Sequence, residues 1–250
     1  MSLITNFSDD FIRNIVSSVN LAVTDDIKQD TRQLRMERSK MNSYPSRIWD
    51  LINRNICVAF ANNANVVVNF TNRGPWKLIA IFDKMTGMLI TLMREERFCS
   101  IKKNTDYRKH YINQLASMFN ADLDNVQQSF FVRDYDKDIS KKTVEHICND
   151  LFISTEMVQH HAVVLFSVNN ELLHSMRCCM INKFFEEFES VSWNEYIKIS
   201  ESIVVEQVTN KDPKKNDPTL GLEYTQRAKR KKRLNHNISA MAESNTFEAE

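Results

Sequence analysis

Three groups of side chains in this 250-residue chain are of types that do chemistry. In FDKMTGMLITLMREERF, residues 82–98, Asp83 stands at one end of an apolar run and Glu95 and Glu96 at the other. Carboxylates brought together could hold a divalent metal for hydrolysis. Further along, His160 and His161 precede an Asn169-Asn170 turn signal, and Cys178 and Cys179 follow it. Imidazole and thiolate are the ligands that zinc favours. Near the C-terminus, QRAKRKKR contains Arg227, Lys229, Arg230, Lys231, Lys232 and Arg233, six cations in eight residues. Such a run is drawn to phosphate backbones, with a steep dependence on salt, and supplies affinity rather than sequence specificity.

Whether the first two groups can act depends on the strands that carry them. VVVNF, KLIAIF and MLITLM, separated by an Arg73-Gly74-Pro75 turn and a KMTG loop, predict a three-stranded antiparallel meander. With KMTG as the loop, Asp83 lies opposite Met88 and Glu95 opposite Trp76, so that the two acids are roughly 20 Å apart. They cannot share one metal, and Glu95-Glu96-Arg97 also lacks the lysine of an Asp…Glu-x-Lys nuclease arrangement. Asp83 is expected to start the turn, and Arg94, Glu95, Glu96 and Arg97 to mark where the strand emerges into water. A second hairpin, AVVLFSV and ELLHSM around Asn169-Asn170, sets His161 opposite Cys178 and His160 opposite Cys179. Alternation then sends one histidine and one cysteine to each face. Two ligands on a face are not four, and His174 sits about 13 Å along the strand from Cys178.

No metal or catalytic residue is therefore assigned. The thiols lack a visible electropositive setting that would activate them. His110, with Arg108 and Lys109, could touch a phosphate but reads better as part of a solvated helix face. Phe184, Phe185 and Phe188, interleaved with Glu186, Glu187 and Glu189, are expected to serve core packing.

The strands need helices to cover them, because they are apolar at consecutive positions and so buried on both faces, by helices or by a partner chain. Ser8, Asp9 and Asp10 open a helix over 9–22 with Phe11, Ile12, Ile15, Val16 and Val19 on one stripe. Residues 25–43 are charged and weakly periodic, read as a solvated helix or a mobile connection. Pro45 opens a helix through Ile48, Trp49, Ile52 and Ile56. Tyr111, Leu115, Met118 and Phe119 mark a helix near 106–120, Val144, Ile147, Cys148 and Leu151 another after Ser140, and Ser192-Trp193-Asn194-Glu195 reads as a capping box opening a helix to about 207. The fold class is α+β: an antiparallel sheet, meander plus second hairpin, covered by helices. Residues 1–62 form an N-terminal helical segment packed on a main domain of 63–208, and 209–250 a linker and a mobile basic tail. IAIFDKMTGMLITLMR and VVLFSVNNELLHSMR share an order of features that two copies of one hairpin would give, or any two buried hairpins.

Composition narrows the function classes. The chain has three glycines, where average usage of about 7% would give roughly eighteen. Gly74, Gly87 and Gly221 are too scattered for a phosphate-cradling loop, which argues against a nucleotide-fuelled enzyme of the common loop types, and no cofactor is expected. Lys+Arg 33 against Asp+Glu 32 leaves a net charge of +1, so attraction to a polyanion must be local. Five cysteines, the lack of a secretory start in MSLITNFSDDF and the lack of a long apolar run suggest a cytoplasmic protein with free thiols and no membrane contact.

Over RGPWKLIAIFDKMTGMLITLMREERF, residues 73–98, the chain resembles a functionally uncharacterised family of Gram-positive bacterial and prophage proteins, through the tryptophan after the turn, the Asp-Lys hairpin tip and the Met-Arg-Glu strand end. The resemblance implies a bacterial or phage cytoplasm and transfers no active site. The expected function is a non-enzymatic interaction protein that binds a protein partner or nucleic acid, the latter through the basic tail. A homodimer sealing an apolar sheet face is compatible with it. The rival expectation is a metal-dependent nuclease or other hydrolase whose acids meet only in three dimensions.

Overall fold

In the computed structural model, six strands form one sheet in the order β1-β2-β3-β4-β5-β6: Val66–Arg73, Trp76–Asp83, Met88–Arg94, His160–Asn169, Leu172–Ile181 and Glu187–Ser192. The structure describes residues 4–35, 40–73, 76–104, 107–123 and 137–198. These belong to one compact unit, Met1–Ile199. The fold is α+β, as its sequence pattern predicts. Neighbouring strands are antiparallel except β3 and β4, which pair in parallel from Met88↔His160 to Arg94↔Phe166. A parallel neighbour requires a crossover. Here it is supplied by α4 (Glu95–Lys102), α5 (Tyr111–Phe119) and α6 (Lys137–Asp150).

Helices cover both faces, which is why the central strands are apolar at consecutive positions. On one face, Ile79, Ile81, Ile90, Leu92, Val164 and Phe166 pack under α1 (Asp9–Leu21), α2 (Ile27–Gln33) and α3 (Tyr44–Phe60). On the other, Ala80, Phe82, Leu89, Met93, Val163 and Leu165 pack under α4, α5 and α6 through Phe98, Ile112, Leu115, Val144 and Ile147. The N-terminal helices form for local reasons. The Ser8 hydroxyl accepts from the Phe11 backbone N–H at 3.2 Å, and Asp9 and Asp10 lie in the positive first turn of α1. Pro45 sits in the first turn of α3, where its missing N–H costs nothing. The charged segment after α1 continues as a π-turn, Ala22–Asp26, and then α2, anchored by the buried Ile27.

Three expectations are corrected. The β4–β5 loop is Asn170-Glu171, one residue later than read, both at positive φ (48° and 62°), and a bulge interrupts the ladder at Ser167/Val168. Core packing by the phenylalanines around Glu187 holds for Phe185, which is buried, but not for Phe188, which lies in the strand Glu187–Ser192 and is exposed. Ser192 does not open a long helix: a single 3-10 turn, Asn194–Tyr196, follows, and Trp193 is buried against the α1 side of the core. What tipped that segment is the partner strand, since Ser192 pairs with Arg177 and a capping box is only a local preference.

Candidate functional site

The sequence candidates are dispersed by the fold. Asp83 stays in its turn, accepting from the Met85 backbone N–H at 3.3 Å and the Thr86 hydroxyl at 2.6 Å. Glu95 stands at the far end of the seven-residue β3. The strand does emerge into water here, from buried Met93 through half-buried Arg94 and Glu95 to exposed Glu96 and Arg97. Glu95 begins α4, and its carboxylate receives two hydrogen bonds from Arg177, at 2.7 and 3.1 Å. Arg177 also reaches Glu187, at 2.6 and 3.2 Å, and the Ser190 hydroxyl at 2.9 Å. One guanidinium thus serves two carboxylates, which holds Glu187 below the usual carboxylate range and pushes Arg177 up.

The histidine and cysteine pairs separate as well. With the shifted turn and the bulge, Cys178 lies opposite Val164 and Cys179 opposite Val163, three positions from the register read in the sequence. His160 turns to Asp122 at 3.0 Å, whereas His161, fully buried, lies 3.0 Å from the Thr91 hydroxyl. Burial pushes both thiols up, Cys179 to about 12, so neither is a nucleophile near neutral pH. Among the described residues, no three His, Cys, Asp or Glu side chains gather as metal ligands would. His110 is not on a solvated face: it is buried and caps α5, accepting from the Ile112 backbone N–H at 3.4 Å. Arg227, Lys229, Arg230, Lys231, Lys232 and Arg233 lie outside the described residues.

What the fold does assemble is a cleft in the sheet itself. The ladder between β2 and β3 runs from Asp83↔Met88 to Ala80↔Thr91 and then stops. Yet β2 remains paired with β1 as far as Arg73↔Trp76, and β3 with β4 as far as Arg94↔Phe166. The sheet therefore splits, with residues 77–79 on one lip and 92–94 on the other. A two-stranded ribbon twists more strongly than a wide sheet, so β1–β2 turns away once it leaves β3. Asn69 ties that ribbon to α6 through a hydrogen bond of 2.5 Å to the Asp150 carbonyl. The split encloses a cleft of about 330 Å³, lined by both lips together with Trp49 and Asn53 of α3, Arg97 of α4 and Tyr111 of α5.

Its electrostatics are one-sided. Lys77, Arg94 and Arg97 line the cleft, and none of its lining residues is acidic. Arg94 is half-buried with its Nε lacking a hydrogen-bond partner, and Asn53, 5% exposed, has its side-chain oxygen in the same state. A second depression of about 190 Å³ shares Arg97 with the first and is lined also by Ser100, Tyr107, Lys109 and His110. Arg108 lies over the Tyr107 ring, 5.8 Å from its centre. Among the described residues, the larger cleft is lined by three cationic side chains, the Asn53 amide and apolar and aromatic walls, with no carboxylate, thiol or imidazole.

Sequence reasoning passed over these residues although one signal was present. Extending the Asp83–Met88 register sets Lys77 directly across from Arg94, and like charges facing each other across a ladder are unfavourable. The strands have already parted after Ala80↔Thr91, three positions earlier, so that pair of cations stands at the mouth of the split, where pairing would be unfavourable.

No helix among the described residues is long and apolar enough to cross a membrane. No curated protein and no solved structure was found to match the chain. A family model does match, over residues 5–243, nearly the whole length, and the chain belongs to that family of unknown function, DUF5986.

Proposed function

We propose that this is a non-enzymatic interaction protein of a bacterial or phage cytoplasm, and that its ligand is single-stranded nucleic acid. The observation that carries the reading is a pair of depressions that share Arg97, lined by Lys77, Arg94, Arg97 and Lys109 with no acidic side chain among the described residues, and furnished with Trp49, Tyr107 and Tyr111. Cations following a backbone and aromatic rings offered to bases are the two parts of single-strand binding. The run from Arg227 to Arg233 adds sequence-independent attraction. A hydrolase would need free acids, whereas Asp83 is engaged by its own turn and Glu95 and Glu187 by Arg177.

Fluorescence anisotropy with labelled single-stranded DNA and RNA tests this, at low salt and at about 200 mM salt. The full chain should bind at low salt and weaken steeply as salt rises. Arg94→Ala/Arg97→Ala should cost roughly ten-fold in affinity and flatten the salt slope by about two phosphate contacts. A chain with its six tail cations changed to Gln should lose affinity while keeping the dependence on Arg94 and Arg97. No binding at low salt, or equal binding by the double variant, overturns the proposal and leaves a protein partner as the reading to pursue.

A further inference from the structure

Resting on that reading, we infer that the split between β2 and β3 is a nucleobase slot: one base of the bound strand enters the sheet plane between residues 77–79 and 92–94, with its phosphate on Arg94 and Arg97. Three observations converge on this occupant. First, past Ala80↔Thr91 the facing edges of the two strands are no longer paired to each other. Their backbone N–H and C=O groups are the donors and acceptors that a base edge can use, and a heterocycle lying in the sheet plane presents its edges to both lips at once.

Second, the slot has aromatic residues from opposite layers. Trp49 belongs to the helical layer on one face and Tyr111 to the layer on the other, and both line the cleft. A ring inserted in the plane of the sheet offers one π-face to each side, and base–aromatic stacking does not depend on which base is present. Third, the cations are placed at the mouth. Arg94 ends β3, and Arg97 lies in the first turn of α4, immediately beyond. Asn53, nine-tenths buried or more with an unpartnered side-chain oxygen, supplies an acceptor inside the slot for an exocyclic amine.

The size decides between one base and an extended peptide. A cleft of about 330 Å³ is at the small end of ligand pockets, which run ~300–1,000 Å³, and suits one nucleotide unit. The parted stretch is three residues on each strand, from Lys77 to Ile79 and from Leu92 to Arg94, short for an added strand of ordinary length, and its rim is cationic.

Two measurements on the full chain test the slot. In the first, anisotropy compares a single-stranded oligonucleotide with the same backbone made wholly abasic. Loss of the bases should weaken binding roughly ten-fold or more, whereas equal affinity overturns the slot while leaving backbone binding intact. In the second, amide hydrogen exchange is followed with and without a nucleoside monophosphate, with ribose 5-phosphate as the base-free control. The amides of residues 77–79 and 92–94 should slow with the nucleotide and not with the sugar phosphate; no slowing, or equal slowing by both, overturns it. Leu78→Trp, which fills the slot from one lip, should abolish the difference between normal and abasic strands, and a retained difference counts against the slot. If neither strand binds at any salt, the failure lies with single-strand binding itself, not with the slot alone.

Discussion

His161 makes the fold sensitive to acid in a way that can be worked out. It is fully buried in β4, its Nε2 is 3.0 Å from the Thr91 hydroxyl, its Nδ1 has no partner, and Asn120 fixes its backbone on both sides. Burial holds its imidazole neutral, lowering its pKa to about 3 from an ordinary 6.5. The unfolded chain therefore takes up a proton at His161 throughout the interval between those values while the folded chain does not, so stability falls as pH falls from about 6.5 towards 3. At ~1.4 kcal/mol per pH unit, the loss attributable to this residue between pH 7.5 and pH 5 is about 2 kcal/mol, a large part of a typical margin of about 5–15 kcal/mol. The matched perturbation is His161→Leu with Thr91→Val, which removes the titrating ring without stranding the hydroxyl. Urea unfolding at both pH values gives the test. The wild-type chain should lose about 2 kcal/mol more than the double variant on acidification. Carboxylates titrate in both proteins and drop out of the difference. Equal losses would refute the argument, because the ring would then be taking up its proton inside the fold.

Arg177→Met should destabilise by about 2 kcal/mol near neutral pH, discounted from the ~3–5 of a fully buried pair because these side chains are partly exposed, and urea midpoints would measure it. The cost should shrink as pH falls through the depressed range of Glu187, since the contribution of a carboxylate with a lowered pKa is present above that range and lost below it. Adding Glu95→Gln and Glu187→Gln should recover most of the loss at neutral pH. Gly87→Ala should cost about 1–2 kcal/mol in thermal or urea unfolding, because Gly87 has a φ of 68° and an added Cβ would meet the Gln159 side chain at 2.7 Å.

The helix starts at Ser8 and Pro45 and the strand runs were legible because each depended on nearby residues, whereas the capping box at Ser192 was overridden by strand pairing. Ser8 with its two aspartates, Pro45, and the apolar β3 all did in three dimensions what their local chemistry prescribes. The parallel β3–β4 pairing was not legible, since it depends on where three crossover helices deliver the chain, and no residue near Arg94 or His160 encodes that. The β4–β5 register failed for a smaller reason. Asn169-Asn170 and Asn170-Glu171 are both acceptable tight turns, and the bulge at Ser167/Val168 is invisible to alternation, so the histidine–cysteine facing pattern moved by three residues. The cleft was not legible because local pattern gives each strand its length but not where its pairing ends: β2 and β3 stay strands with their outer neighbours beyond Ala80↔Thr91, where they part from each other.

Glu95, one of the acids that first suggested metal chemistry, helps to leave the cleft cationic. Two carboxylates, Glu95 and Glu187, are committed to the single guanidinium of Arg177, on the α4–α6 side of the sheet. Arg94 and Arg97, flanking Glu95 in sequence, have no carboxylate partner among the described residues, although they lie within a chain whose net charge is only +1. Segregating charge in this way creates a local field that the net charge conceals, and walls of low polarity such as Trp49, Leu92 and Tyr111 concentrate it at the mouth of the split. Neutralising Glu95 alone would leave Arg177 held by Glu187 and Ser190 but loosen the β5–α4 contact next to one lip. On the proposed reading, Arg177 would tie the strength of binding to the rigidity of the lip although it does not line the cleft.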